Sequence, residues 1–287
     1  MLTLAKIQLD HVSYIYSPGT PYEIKALDDV STEIEEGKIT GIIGHTGSGK
    51  STFVQLLNGL EKPMGGQVLL DGKNIWEKPR EIGKIRFRVG LVMQYPEYQL
   101  FEETIRRDIA FGPRNMGLSE AEIAERVEMA ADFVGLDRGL LDKSPFDLSG
   151  GQKRRAAIAG IIAMKPEVLV LDEPAAGLDP MGRDGIFDGI VRYGRETGAT
   201  VIIVSHSMED MARLCDELIV MAHAKIAMKG DCAEIFSHAD ELEAIGLAVP
   251  EITKLMALLK KRGVDVGESI YTVADAARAL AAVMREK

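Results

Sequence analysis

The residues best equipped for chemistry are Gly44, His45, Thr46, Gly47, Ser48, Gly49, Lys50 and Ser51, a G-x-x-x-x-G-K-S run. Glycines at this spacing let the backbone curl tightly and take φ > 0, so that successive N–H groups converge on an anion. Lys50 is placed to reach β- and γ-phosphates, the Ser51 hydroxyl to ligate Mg²⁺, and Thr52 closes the run. Before the run lies an apolar stretch, Ile39 to Ile43. After it, Phe53, Leu56, Leu57 and Leu60 fall at i, i+3, i+4 and i+7, the spacing of one buried helix face. Strand, glycine loop and helix together are the context a phosphate-binding loop requires. The helix start adds unpaired N–H donors and a positive dipole end. A glycine-rich turn that merely precedes a helix is the bland alternative, and it specifies neither the lysine nor the serine. The run reads as a nucleotide site.

A second set of groups stands at the ends of apolar runs. VLVLDE, residues 168–173, ends in Asp172 and Glu173, and adjacent strand residues point to opposite sides, so the two acids can take different tasks. Asp172 can hold Mg²⁺, as the acid after a buried strand does in phosphate-loop enzymes, leaving Glu173 to polarise an attacking water. Two solvated acids at a strand end are the alternative. Gln94 and His206 each follow a strand-like run and can orient water or touch a γ-phosphate; a histidine simply hydrogen-bonded in the fold is the competing reading. LSGGQ, residues 148–152, offers the Ser149 hydroxyl and the bare N–H groups of Gly150 and Gly151 at a helix start, a second anion-binding device, with Gln152 closing a capping box. One nucleotide does not need two such devices from one chain, so this one is expected to complete the site of a second molecule. Tyr14 and Tyr16 precede the loop. Sheet packing accounts for Tyr14, whereas for Tyr16 packing and stacking on a purine ring both stand.

These groups need elements to hold them. Residues 4–34 alternate apolar and polar around Ser17-Pro18-Gly19 and read as antiparallel strands; QVLLDGKNI reads as strand, turn, strand. The runs at 168–173 and 201–206 are short, continuous and rich in β-branched residues, as parallel strands covered on both faces are. Ligands bind at the C-terminal edge of such sheets. Between them, 97–165 reads as a helical insertion: Ser119 and Glu122 form a capping box, and Ile123, Val127, Ala130, Ala131 and Val134 share a face. Residues 214–236 read as edge strands and a short helix. From about 240 the pattern gives two short amphipathic helices, 250–263 (Ile252, Leu255, Met256, Leu259) and 272–285 (Val273, Ala277, Leu280, Met284, with a Thr272–Asp275 box). Their apolar faces need cover from the main domain or a second chain. The expected fold is therefore α/β: a phosphate-loop, RecA-like core with a mostly parallel sheet, an antiparallel β subdomain, a helical insertion, and a small C-terminal helical extension. Domains are expected at 1–239 and 240–287.

Composition narrows the class. At 287 residues, with 46% hydrophobic and 27% charged residues, the chain suits a folded protein of roughly two domains. A net charge of −10 argues against a nucleic-acid partner, which needs a basic footprint. Cys215 and Cys232 lack metal-ligand spacing and scaffold density, so packing in a reducing compartment is expected. The opening MLTLAKIQLD does not read as a signal peptide, and no run approaches the ~18 apolar residues of a membrane span. Any membrane role is expected to be peripheral.

Taken together over residues 1 to about 235, the chain resembles the ATP-binding cassette (ABC) ATPases, with each motif present and in order. GHTGSGKS is similar to the Walker A loop, Gln94 to the Q-loop, LSGGQ to the signature, VLVLD with Glu173 to the Walker B strand and catalytic glutamate, AGLD (Ala176 to Asp179) to the D-loop, and His206 to the switch histidine. The resemblance implies ATP and Mg²⁺ as ligands, with Ser51, Gln94 and Asp172 around the metal, Lys50, Gln94, Glu173 and His206 in catalysis, and Tyr16 stacked on adenine. It also implies a head-to-tail dimer in which Ser149, Gly151 and Gln152 of one subunit face the Walker A loop of the other. QYPEYQLFEETIRRDIAFGP, SPFDLSGGQKRRAAIAG and the helical extension look like the energy-coupling-factor type, and SPFDLSGGQKRR like the second of its two paralogous ATPases. That implies a paralogous or identical ATPase partner, an integral membrane coupling subunit and a membrane substrate-capture subunit, at the cytoplasmic face of the membrane. An arginine of the coupling subunit would pair with Glu97, Glu102 or Glu103. The alternatives are the ATPase of an ordinary ABC importer and a soluble cassette ATPase of cofactor assembly.

Overall fold

The structure is a computed structural model that describes residues 5–264, 266–267 and 270–285. Its strands are β1 (Ala5–Tyr16), β2 (Ile24–Glu35), β3 (Ile39–Gly44), β4 (Gly65–Leu70), β5 (Lys73–Asn74), β6 (Val89–Val92), β7 (Val168–Asp172), β8 (Thr200–Val204), β9 (Glu217–Ala222) and β10 (Lys225–Gly230). They form two sheets. One is antiparallel, in the order β2-β1-β4-β5; the other runs β10-β9-β3-β8-β7-β6. In the larger sheet all neighbours are parallel except β10, which pairs antiparallel with β9.

Burial explains why the central strands have continuous apolar sequences. Every residue of β3, β7 and β8 is buried. Leu169 and Leu171 enter one hydrophobic core with Val201 and Ile203, while Val168 and Val170 enter the other with Ile202 and Val204. Period-two alternation thus feeds two cores, one on each face, and both positions of the alternation must be apolar. Truncating one of these side chains, for example Ile203→Ala, should cost about 2–5 kcal/mol, because the interior cannot fully collapse around the lost volume.

The helices are α1 (Lys50–Leu57), α2 (Ile82–Arg88), α3 (Ile105–Asn115), α4 (Glu120–Phe133), α5 (Gly150–Ile162), α6 (Pro180–Thr197), α7 (Met208–Leu214), α8 (Cys232–Ser237), α9 (Ala239–Ala244), α10 (Glu251–Lys261) and α11 (Val273–Arg285). The face expected on α4 is buried throughout. Both capping boxes are made: Ser119 with Glu122 before α4, and Ser149 with Gln152 before α5. A capped start is worth roughly 0.5–2 kcal/mol and sets where each helix begins.

Three local expectations need correction. Leu60 does not share the buried face of α1; that helix ends at Leu57, capped by Asn58, and Leu60 is 44% exposed in the following turn. The strand-like run before Gln94 is short, since residues up to Arg88 finish α2 and only Val89–Val92 form a strand. The stretch read as edge strands contains only one at the edge, β10. β9 lies inside the sheet, wholly buried beside β3. Its acidic start hid this: Glu217 is buried because Thr40 Oγ1 donates to it at 2.9 Å, with Lys229 at 3.6 Å.

At the C-terminus, Leu242, Leu247 and Val249 are buried in the main core. Beyond them Met256, Val266 and Ala276 form a separate small cluster, with Ile252, Leu259 and Leu280 against it. Thr272 caps α11, accepting from Asp275 N at 3.1 Å. Leu255, Leu258, Val273 and Met284 remain exposed.

Candidate functional site: a nucleotide cleft at the sheet edge

The parallel strands all end at one edge of the large sheet, and the candidate residues follow those ends. β3 ends at Gly44, β7 at Asp172, β6 two residues before Gln94, and β8 two residues before His206. There Gln94, Asp172 and His206 line one cleft of about 420 Å³ with Tyr16, Thr46, Gly47, Gly49, Lys50, Ser51, Thr52 and Glu173, while Gly44, His45 and Ser48 sit in the loop behind its lining. Residues scattered over two thirds of the chain meet because parallel pairing sets the strand ends side by side.

The loop is shaped by its glycines. Gly49 has φ +106°, and a Cβ there would meet Ala26 O at 2.3 Å, so the backbone lies tight against β2. Gly47 has φ +82° and open space where a Cβ would point. Ser48 Oγ and His45 Nε2 are buried without a hydrogen-bond partner. Lys50, almost fully buried, donates to Gly44 O at 2.7 Å and His45 O at 3.0 Å. Burial pushes its pKa down, against the opposing pull of Glu173 and Asp172. A buried ammonium held only by loop carbonyls is a cation waiting for anionic ligands.

Burial raises both acids. Burial raises the Asp172 carboxyl, while a hydrogen bond from Ser51 and the Lys50 charge pull it back. Burial also raises Glu173, and the neighbouring Asp172 charge adds to this, bringing it to about 7. Glu173 Oε1 is buried with no hydrogen-bond donor, and His206 Nε2 lies 3.6 Å from it. Burial and the Lys50 charge both hold the His206 imidazole below its usual pKa. A carboxylate poised near neutrality, with a free lone pair, is suited to accept a proton from water. Its backbone is left-handed, φ 53°, and is pinned where Glu173 N donates to Val204 O at 3.0 Å.

Tyr16 lies at the cleft mouth, its hydroxyl 3.1 Å from Thr52 Oγ1 and its ring edge-on to Tyr14 at 4.9 Å. Tyr14 itself is packed, donating to Glu61 at 2.5 Å. Ser149, Gly151 and Gln152 do not line the cleft. They open α5, where Ser149 Oγ accepts from Gln152 N and Gln152 Oε1 accepts from Ser149 N. Gly151 faces Leu178, within the 176–179 turn.

The orphaned Glu173 oxygen, the cation on the loop and the open Gly47 cradle fit a nucleotide triphosphate and its metal. Ser51, Asp172 and Gln94 supply the oxygen donors that a hard cation prefers.

The sequence assigns no role to three further residues. Arg183 donates to Asp210 at 2.8 Å and to Ser207 Oγ at 2.6 Å, tying α6 to the turn that bears His206. Arg154, nearly fully buried, grips Glu97. Glu97, one of the three acids expected to meet an arginine of the coupling subunit, is thereby engaged within its own chain. Asp108 lines an apolar groove of about 400 Å³ with Pro96, Leu100, Phe101 and Phe111 and accepts from Phe101 N and Glu102 N. Spacing gives no partner for Arg154, which lies in α5 far from Glu97 in the chain.

Comparison with known proteins places the chain in a family. Residues 27–176 match the ABC transporter family. The chain belongs to that family. It is 53% identical to the energy-coupling factor transporter ATP-binding protein EcfA2 of Clostridium perfringens, over 97% of this chain and 98% of that one. The EcfA2 of Clostridium acetobutylicum is 52% identical with the same coverage. Among solved structures, cbiO1 of Clostridium perfringens, described as part of the ABC transporter complex cbiONQ, superposes with TM-score 0.74 at 39% identity, covering 88% of this chain and 99% of that one. The cassette MJ0796, solved as a dimer in a post-hydrolysis state bound to ADP and Pi, gives 0.72 at 28% identity, covering 79% and 98%. Within the family the chain stands with the energy-coupling-factor ATP-binding proteins, and its activity is that of an ABC transporter ATPase.

Proposed function

We propose that the chain is the ATP-hydrolysing subunit of an importer of the energy-coupling-factor type, powering uptake of a micronutrient, a vitamin or a transition metal ion, by ATP-driven closure of an ATPase pair. The observation that carries this is the division of the site. One cleft holds the loop, both acids, Gln94 and His206, while the second anion-binding device, the start of α5, lies outside it. Such a chain completes its site with a second subunit, either a paralogue or another copy of itself.

In this reading Gly44, His45, Thr46, Gly47, Ser48, Gly49 and Thr52 wrap the phosphates, Lys50 moves from the loop carbonyls to phosphate oxygens, and Tyr16 stacks on adenine. Ser51, Gln94 and Asp172 hold Mg²⁺, which when bound neutralises phosphate charge. Glu173 accepts the proton of the attacking water, and His206, kept neutral near pH 7, hydrogen-bonds the γ-phosphate. Ser149, Gly151 and Gln152 close over the partner's nucleotide. The groove beside Pro96 and Phe101 receives the integral membrane coupling subunit, and a separate membrane protein captures the substrate. Among the described residues no helix is long and apolar enough to cross a membrane, so attachment at the cytoplasmic face through such partners is the arrangement proposed.

Mixing tests the division. A Ser149→Arg subunit combined with a Lys50→Ala subunit leaves one composite site carrying both lesions and one carrying neither. Some activity should return relative to either variant alone. No recovery at any ratio, with both variants folded and associating, would refute a site shared between chains.

A further inference from the structure

We propose that Arg154 is a positioning residue for hydrolysis: it locks the turn after Gln94, the signature helix and the turn after Glu173 into one unit. This rests on the roles given above to Gln94 and Glu173.

The guanidinium is spent in every direction. Nε donates to Glu97 Oε2 at 2.9 Å and Nη2 to Glu97 Oε1 at 2.6 Å, a two-point fork on a carboxylate. Nη1 donates to Ala176 O, and the plane faces the Tyr95 ring at 5.8 Å. The partners come from two different parts of the site. Tyr95 and Glu97 lie in the turn that follows Gln94, with Tyr95 at φ 55° and Pro96 buried. Arg154 itself is in α5, two residues after Gln152. Ala176 also donates its N–H to Glu173 O at 3.3 Å, so the guanidinium is linked through one residue to the proposed base.

That link has work to do. A glutamate at φ 53° adopts a backbone conformation that side chains disfavour, and such a residue persists only when its surroundings hold it. Val204 O holds Glu173 on one side. On the other side the 173–176 turn is held by Ala176, and Ala176 by Arg154. The side chains of Arg154 and Glu97 are only 4% and 14% exposed, so neither solvent nor salt loosens the fork. Glu97 stays ionised: burial pushes its carboxyl up, but the hydrogen bonds of Arg154 carry it below the usual range. Lysine cannot replace this geometry, having one point of attachment where three are needed.

A displacement of the proposed base by a fraction of an ångström slows chemistry without weakening ATP binding, which the distant loop supplies. The test uses the purified, active ATPase with three variants: Arg154→Lys, the apolar pair Glu97→Leu with Arg154→Met, and Glu173→Gln. The apolar pair guards against misfolding, since replacing a buried ion pair by hydrophobic residues is often neutral for stability. Folding is read by thermal melting, affinity by titration with trinitrophenyl-ATP, and kcat by phosphate release. Arg154→Lys and the apolar pair should each lose about tenfold or more in kcat while the nucleotide Kd moves less than about twofold, because misplacement acts on the transition state and not on binding. Normal kcat in the folded apolar pair would overturn the proposal, as would a loss of activity that appears wholly in Kd. Normal turnover in Glu173→Gln would instead overturn the assignment of the base, so the two failures are distinguishable.

Discussion

Replacing Glu173 by glutamine should slow the enzyme and stabilise the protein at once, and the two effects share one cause. Burial and the Asp172 charge raise the carboxyl from 4.5 to about 7. The folded chain therefore takes up a proton at Glu173 between about pH 4.5 and 7 that the unfolded chain does not bind. Stability linked to this group is full below pH 4.5 and is lost as pH rises through 7. At about 1.4 kcal/mol per pH unit, the ionised side chain costs the folded state up to about 3 kcal/mol at pH 8. Glutamine has the same shape and no charge to bury, so the variant escapes that cost. Thermal unfolding of the nucleotide-free protein should show a higher Tm for Glu173→Gln at pH 8 and a nearly equal Tm at pH 4.5. The same substitution removes the proton acceptor, so kcat should fall by about 10²–10⁴, equivalent to roughly 3–5 kcal/mol of barrier. ATP binding should survive. A variant with unchanged Tm at both pH values would show that Glu173 is not an ionised buried group, and one with near-normal turnover would show that it is not the base.

Deleting 250–287 should weaken association of the nucleotide-free ATPase, because it removes the exposed Leu255, Leu258, Val273 and Met284 that a partner would cover, while nucleotide affinity stays the same; sedimentation velocity decides, and unchanged association refutes a dimer-holding role. Tyr16→Ala should raise the ATP Kd by about five- to a hundredfold, as stacking on a base is worth roughly 1–3 kcal/mol, whereas Tyr16→Phe keeps most of the affinity; equal losses in both would assign the effect to the Thr52 hydrogen bond. Glu97 is buried with Arg154, whereas Glu103 keeps an exposed pair with Arg107; we therefore expect Glu102→Arg or Glu103→Arg to break assembly or transport while basal ATPase activity persists. If both reversals assemble and transport normally, those acids are not the coupling surface.

What the sequence disclosed was whatever a local spacing encodes. The glycine loop, the buried strands β7 and β8 and the face of α4 follow from periods of two and 3.6 read within one element, and they stand where expected. The site formed because the strands are parallel, so four separate apolar runs, each recognised locally, had to end at one edge. Features that depend on distant partners escaped. Glu97 and Arg154 are far apart in the chain, and nothing in either neighbourhood says that one charge serves the other. β9 passed for an edge strand because its acidic first residue is compensated by Thr40, on a strand remote in sequence. Asp108 carries no sequence signal of its own, though it organises the groove by accepting two backbone N–H groups.

The small cluster around Met256, Val266 and Ala276 has an evolutionary consequence. Among the described residues, neither α10 nor α11 contributes a buried side chain to the two large cores. After a gene duplication, substitutions in that terminal hairpin can accumulate without repacking the cassette. Two sister chains can therefore drift apart in whom they recognise while inheriting the same catalytic edge, and partner choice becomes a trait that selection can alter separately from turnover.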